Sequence, residues 1–420
     1  MAFVHSFPML RSLRYRNYRL YFIGQGISLI GSWMQQVAMS WLVYRLGNSA
    51  FLLGVVVFAH QMPSFIMPLA GVILDRVNRR NILLATQALA LIQALTMALL
   101  SYTGLVAVWH IIGLSLFIGL VNAFDMPGRQ SFAVEMVENK EDLGNVIALN
   151  SSQFNAARLI GPAIAGLVIA HFGEATCFLL NAASFAAVIV ALLAMRLPSP
   201  RTPPNHHGAG LLTELKTGFS YVKNTVAIRR ILLLTSWLSL VGVPFWILMP
   251  VLTREIFSGG PRTLGFLSSS IGLGALVGTL ALATVKNTAH HGKIIVGAAV
   301  LFSASLAGFS FARTLWLALP LAAMAGFGMI THLAAVNTSL QVMVDDDKRG
   351  RVMSYYTMSF TVTTPFGSLA AGSIAQHIGA PTTILIGAMC CMLGTTLLAR
   401  RIAFPVVVVQ PDLGKQQKPF

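Results

Sequence analysis

Long apolar runs separated by short polar clusters dominate the chain. A helix needs about 20 apolar residues to cross the hydrocarbon core of a bilayer. Runs of that order fall at roughly 20–45, 50–74, 82–103, 106–126, 146–170, 176–196, 231–253, 264–285, 293–312, 315–336, 352–376 and 380–400. A strand-built barrel would instead show alternating segments of about ten residues. The pattern predicts an all-α membrane protein with twelve transmembrane helices, and the even count puts both termini on one side. The stretch 197–229 interrupts it and divides the chain into six-helix bundles at 1–196 and 230–401, with a tail at 402–420.

Composition agrees. The 420 residues are 55% hydrophobic and 10% charged, with mean hydropathy +0.73, where soluble domains carry about 25% charge. The net charge of +16 would suggest a nucleic-acid partner in a soluble protein. Its placement gives a different reading. On the predicted topology one face receives 24 of the 29 Lys and Arg, and the other receives only Arg45, Arg254, Arg262 and Arg313. Basic loops stay in the cytoplasm, so both termini are expected there, in a bacterial inner membrane. The charge then orients the chain and attracts anionic lipid headgroups, and no nucleic-acid partner is expected. Arg11, Arg14, Arg16 and Arg19 precede the first run, which is longer than a signal peptide and lacks a clear cleavage site, so it reads as a retained helix.

In the linker, Pro198, Pro200, Pro203 and Pro204 forbid a continuous helix. From Leu211 to Ile228, Leu212, Leu215, Phe219 and Val222 recur at helical spacing. This predicts an amphipathic helix on the inner leaflet. The two bundles also share residues at one offset. Gly144, Gly161, Gly166, His171 and Gly173 recur as Gly350, Gly367, Gly372, His377 and Gly379. A parallel repeat of six-helix units can rock around a central site and expose it to each side in turn.

Between spans two and three lies Gly71-Val-Ile-Leu-Asp75-Arg76-Val-Asn-Arg79-Arg80. This resembles the loop motif of the major facilitator superfamily, with Asn78 where a glycine is common. Asparagine tolerates the left-handed turn expected there. Three further stretches resemble the branch containing macrolide exporters and the enterobactin exporter. They are Leu13 to Leu20 leading into Gly24-Gln25 and Gly31-Ser32-Trp33, then Asn122 to Gln130, then Asn155-Ala-Ala-Arg158-Leu-Ile-Gly161-Pro162. The resemblance implies export of small molecules driven by the proton gradient. It also implies a gating network of Gly71, Asp75, Arg76, Arg79, Arg80, Asp125 and Arg129, with Asp125 ending span four and pairing with the motif arginine. Gly161, Pro162 and Gly166 resemble the bending motif of antiporters, although the usual final double glycine is absent.

Several residues sit where a polar group needs a reason. Gly24, Ser28, Gly31, Ser32 and Gln35 form a small polar stripe on span one, suited to close packing or to a cavity wall. Gln35 is the one expected to touch substrate. His60 and Gln61 lie in span two and His332 in span ten, each histidine being either a buried neutral group or a titrating one. Arg158, with Asn155 one turn away, is the only Lys or Arg deep in a span. An arginine there costs from about 2.5 to well over 10 kcal/mol unless it meets water or a partner. It is expected to face a central cavity, or else to bond carbonyls near Gly161 and Pro162.

No metal site, disulfide framework or cofactor is expected. Cys177, Cys390 and Cys391 lie in apolar runs, and Asp345-Asp346-Asp347 reads as a solvated turn. The phosphate-binding pattern Gly-x-x-x-x-Gly-Lys-Ser/Thr is absent, so ATP drive is unsupported. The expected function is secondary-active export of drug-like organic molecules by a monomer exchanging them for protons. The alternative is export of a siderophore or another secreted metabolite. A lipid flippase or a membrane enzyme on the same fold is the reading from another class, and an enzyme would need clustered acids, histidines or a nucleophile.

The charge asymmetry generates a labelling prediction. Asn48→Cys and Ser258→Cys should react with an impermeant thiol reagent added outside intact cells, and Asn205→Cys should not. Labelling at residue 205 would reverse the topology.

Overall fold

The computed structural model describes residues 8–74, 77–137, 139–196, 219–285 and 290–399. Each expected span coincides with a helical rod. They are α1 (Arg16–Gly47), α2 and α3 (Ala50–Gln61 and Met67–Leu74), α4 (Arg79–Tyr102), α5 (Val108–Glu135), α6 (Leu143–Phe172) and α7 (Glu174–Ala194). The second half comprises α8 and α9 (Val226–Val241 and Met249–Glu255), α10 (Pro261–Ala283), α11 (His291–Phe311), α12 (Leu315–Met343), α13 and α14 (Asp346–Thr361 and Thr363–Ile378) and α15 (Ala380–Ala399). Among the described residues, nine rods are long and apolar enough to cross a membrane, and Ala50–Ile66 is a shorter apolar one.

Three spans are broken, at places that proline chemistry accounts for. Pro63 and Pro244 stand in the first turns of 3-10 segments at Met62–Ile66 and Val243–Leu248. Span eleven breaks at Val362, three residues before Pro365. Proline lacks the N–H that a continuous helix needs. Two expected boundaries also move. Span four runs on to Glu135, so Asp125 and Arg129 lie inside it and not at its end. Most of the expected amphipathic helix, including Leu212 and Leu215, lies outside the described residues. Its described part runs over 219–224, and Thr225 separates it from α8, so no helix continues to Ile228.

The halves meet along two helix pairs at one end of the bundle, the end carrying the turns at 48–49, 173, 256–260 and 379. Packing in hydrocarbon depends on backbone proximity, which small residues permit. A Cβ on Gly166 of α6 would stand 2.8 Å from the Pro261 carbonyl of α10, and one on Gly265 would stand 2.7 Å from the Pro162 carbonyl. In the second pair a Cβ on Gly54 of α2 would stand 2.6 Å from the Ser368 carbonyl of α14, and one on Gly372 would stand 2.6 Å from the Ala50 carbonyl. The Ser49 hydroxyl donates to Gln376 Oε1 at 2.8 Å across the second pair. At the opposite end Gly71, Gly144 and Gly350 have no heavy atom within 4 Å of a Cβ position.

The repeat seen in the sequence is a repeat of roles. Gly161 lies against Trp33 and Ile30 of span one, and Gly367 lies against Leu240 and Pro244 of span seven. Gly166 and Gly372 face the partner half. His171 and His377 each bond the carbonyl four residues back through Nδ1, at 2.9 and 2.8 Å. Gly173 and Gly379 end their helices with φ of 80° and 81°, a region glycine enters without strain.

Filling the seam should part the halves at this end. Ser49→Cys and Gln376→Cys should cross-link readily in the otherwise native chain. Adding Gly54→Leu should cut the yield by about fivefold with the protein still inserted, because the Ser368 carbonyl cannot yield to a side chain. Unchanged cross-linking would mean the glycines do not control closure.

Candidate functional site

The site grows out of the seam. Pro162 has no N–H to give the Arg158 carbonyl, so that oxygen is left without its helical donor. Gly272 of α10 packs onto it, a Cβ there standing 2.6 Å away. The next carbonyl, Leu159, accepts from the Ser269 hydroxyl at 2.8 Å. The backbone of Arg158 is thereby pinned to the other half.

Its side chain lies among aromatic rings. The guanidinium carbon sits 5.7 Å from the Trp33 ring centroid and 5.2 Å from that of Trp246. The two indoles are themselves 6.0 Å apart, and Phe154 meets Trp33 edge-on at 5.9 Å. Trp33 comes from α1 and Trp246 from the 3-10 segment that Pro244 opens, so both halves contribute. Ring faces attract the cation and offset part of its burial. No carboxylate among the described residues pairs with Arg158, and its buried Nε has no hydrogen-bond partner.

The other expected cavity residues separate. Gln35 is 6% exposed. Its amide donates to Gln93 Oε1 at 3.0 Å, and its carbonyl oxygen accepts from Asn181 Nδ2 at 2.8 Å. It ties span one to spans three and six and does not face the seam. Its neighbour Gln36 is exposed. Adjacent helical residues point about 100° apart, and Gln36 lies one turn from Trp33 on the same side. His332 is fully buried, with one ring nitrogen 3.1 Å from the Thr235 hydroxyl and the other 3.1 Å from the Ile295 carbonyl. Both nitrogens are used inside the second half. His60 lies against Gly119 of span four, and its buried Nδ1 lacks a partner. Gln61, partly exposed, ends α2. Asn155 donates to the Ser151 carbonyl at 2.9 Å on its own helix. Gly161, Pro162 and Gly166 lie in a helix that runs without interruption from Leu143 to Phe172, and Gly161 and Gly166 pack closely against neighbouring helices.

The expected gating residues lie around the loop between spans two and three and in span four. Asp75 and Arg76 lie outside the described residues. Asn78 is extended, with φ of −61°, and caps α4 by accepting from the Arg80 N–H at 3.0 Å, so the left-handed turn is not formed. Arg79 opens α4. Arg80 donates to the Leu192 and Leu193 carbonyls at 3.0 and 3.2 Å, tying the loop to the end of span six. Asp125, 1% exposed, accepts from the Thr86 hydroxyl and the Gln87 amide, both at 2.8 Å, and pairs with Arg129 one turn on.

A cluster that sequence reading missed lies at the same end. Arg11 and Arg14 pair with Asp142, at 2.6 and 2.8 Å, and the Tyr15 hydroxyl donates to it at 2.8 Å. Asn17 brackets the Arg196 backbone, donating to its carbonyl at 2.8 Å and accepting from its N–H at 3.1 Å. The segment before α1 is thus fastened to the entrance of span five and the exit of span six. Arginines counted only as an orientation signal also hold this fastening.

Comparisons with known proteins cover nearly the whole chain. The transmembrane secretion effector family matches residues 8–415. The staphyloferrin A transporter of Staphylococcus aureus is 24% identical over 88% of this chain and 92% of its own length. The multidrug efflux pump Tap of Mycolicibacterium fortuitum is 24% identical over 86% and 88%. Macrolide efflux protein A of Streptococcus pyogenes is 19% identical over 94% and 97%. Among solved structures, the nucleoside transporter NupG superposes with a TM-score of 0.69 at 14% identity, over 92% of this chain and 98% of its own. The human organic anion transporter MFSD10 gives 0.60 at 16% identity, over 91% and 99%.

The Asp142 cluster generates a pH prediction. The Tyr15 hydroxyl, then Arg11 and Arg14, hold this carboxyl below its ordinary range. A depressed folded-state value stabilises the fastening fully above the unfolded value, about 3.9, and the gain is lost as pH falls through the folded value. The fastening should hold across neutral and mildly acid pH. Asp142→Asn should release it at pH 7, seen as faster amide exchange over residues 8–19. Wild-type exchange in that variant at pH 7 would discount the cluster.

Proposed function

The chain belongs to the transmembrane secretion effector family, within the major facilitator transporters, and we propose that it is a secondary-active exporter of small organic molecules working by proton antiport. It is a multi-pass membrane transporter related to efflux pumps. The exporter reading adds direction, coupling and place: a monomer in a bacterial inner membrane with both termini cytoplasmic. On that orientation the glycine-lined seam closes the outer side. One observation carries the reading. Two duplicated halves are joined at one end beside a partly buried arginine, while Gly71, Gly144 and Gly350 at the other end have open space about them. Rocking about that seam would expose Arg158 to each side in turn. Export of a siderophore or another secreted anion is the second reading. The arginine without a carboxylate partner favours it, as does the likeness to the staphyloferrin A transporter.

Asp125 belongs to the coupling machinery in this reading. It is a buried carboxylate that pairs with Arg129 and accepts hydrogen bonds from Thr86 and Gln87. Expression in cells stripped of their own pumps should lower accumulation of at least one member of a panel including ethidium and erythromycin. A protonophore should restore it. Asp125→Asn should reduce that efflux by about tenfold at equal membrane levels, the scale over which conserving shape while removing charge acts in buried networks. Efflux that persists after the proton gradient collapses would overturn proton coupling, and wild-type efflux by Asp125→Asn would remove this residue from it.

A further inference from the structure

The indoles meet only part of what Arg158 requires. A ring face compensates positive charge, but it accepts none of the five N–H donors of a guanidinium in ordinary hydrogen-bond geometry. Trp33 and Trp246 supply the faces. Among the described residues neither a carboxylate pair nor a partner for the buried Nε is present. What such a group still needs is a planar acceptor with two oxygens, the shape a carboxylate presents to a guanidinium edge. Three aromatic rings (Phe154, Trp33 and Trp246) line the same place and suit a ligand whose carboxylate is attached to a flat apolar body. A lipophilic cation would meet like charge beside apolar rings, where repulsion is less screened than in bulk water.

We propose that Arg158, Trp33 and Trp246 form a binding site for aromatic carboxylates, with the guanidinium taking the carboxylate and the indoles taking the ring. The proposal rests on the exporter reading only for the direction in which the ligand moves. Trp33 and Arg158 belong to one half and Trp246 to the other. The site is therefore complete only while the seam is closed, and parting the halves there removes one wall and weakens the hold on the ligand.

The test uses full-length protein in lipid nanodiscs, with indole fluorescence as readout and empty nanodiscs as blank. The probes are 1-naphthoate, its neutral counterpart 1-naphthamide and the cation 1-naphthylmethylammonium. Wild-type protein should bind the acid about tenfold more tightly than the amide and the cation more weakly than either, the scale of a charge-assisted bidentate contact. Arg158→Gln should abolish the preference for the acid while leaving the amide affinity within about twofold. Arg158→Lys, which keeps the charge but not the fork, should retain a reduced preference. Trp246→Leu should weaken acid and amide alike. Equal affinity for acid and amide, absence of saturable acid binding, or a preference that survives Arg158→Gln would each overturn the site. Should Arg158→Gln not fold, the wild-type probe ranking and the lysine variant decide. Selective binding without proton-driven efflux would count against the exporter reading alone. Proton-driven efflux of other compounds without that selectivity would count against this site alone.

Discussion

Hydrocarbon removes the force that holds soluble proteins together, because an apolar side chain gains little by leaving lipid tails for another apolar side chain. The two halves of this transporter therefore close on one another most tightly where their backbones come within van der Waals reach. Gly166 against Gly265 and Gly54 against Gly372 meet that condition. A proline in one helix also exposes a carbonyl, and a glycine in the neighbour settles on it. Pro162 frees the Arg158 oxygen for Gly272 across the seam, and within the second half Pro244 frees the Leu240 oxygen for Gly367. Such contacts define a closed end, and side-chain pairs across the halves add to it: Tyr44 with Glu255, His171 with Arg262 and Phe58 with Phe366.

That arrangement requires each half to be stiff, and buried polar groups make it so. Gln35, Gln93 and Asn181 bind spans one, three and six of the first half to one another. His332, Thr235 and the Ile295 carbonyl do the same for spans seven, nine and ten. With few competing acceptors in lipid, satisfied networks of this kind resist shear. Motion is left to the seam.

Apolar run length made the helices legible from sequence, and the fixed offset of five residues made the duplication legible, because both are properties of chain order. The offset even matched function: Gly161 and Gly367 serve spans one and seven, and Gly166 and Gly372 serve the opposite half. The place of Arg158 near the middle of its helix was legible for the same reason. Its surroundings were not. Trp33 and Trp246 lie far apart in the chain; Trp33 belongs to the Gly31-Ser32-Trp33 stretch, but nothing in either residue's surroundings in sequence points to the other. The break at Pro244, two residues before Trp246, was the available hint. Gln35 and Gln36 were indistinguishable by type, and helical phase alone turns one into the bundle and leaves the other exposed. Asp125 was placed at the end of span four by the family resemblance, whereas Asp125 and Arg129 pair with each other and the helix continues to Glu135.

Arg158 joins these lines of argument within one residue. Its carbonyl is part of the seam, covered by Gly272 of the opposite half, while its guanidinium lies over an indole from each half. A change in spacing between α6 and α10 must therefore shift the backbone that carries the cation, and separating Trp246 from it must alter the balance at the seam. A ligand that fills the missing hydrogen bonds favours the closed arrangement only to the extent that it binds that arrangement better than the parted one. Because one wall of the site comes from each half, that difference is built into the geometry, and no relay through distant residues is needed to connect occupancy with closure.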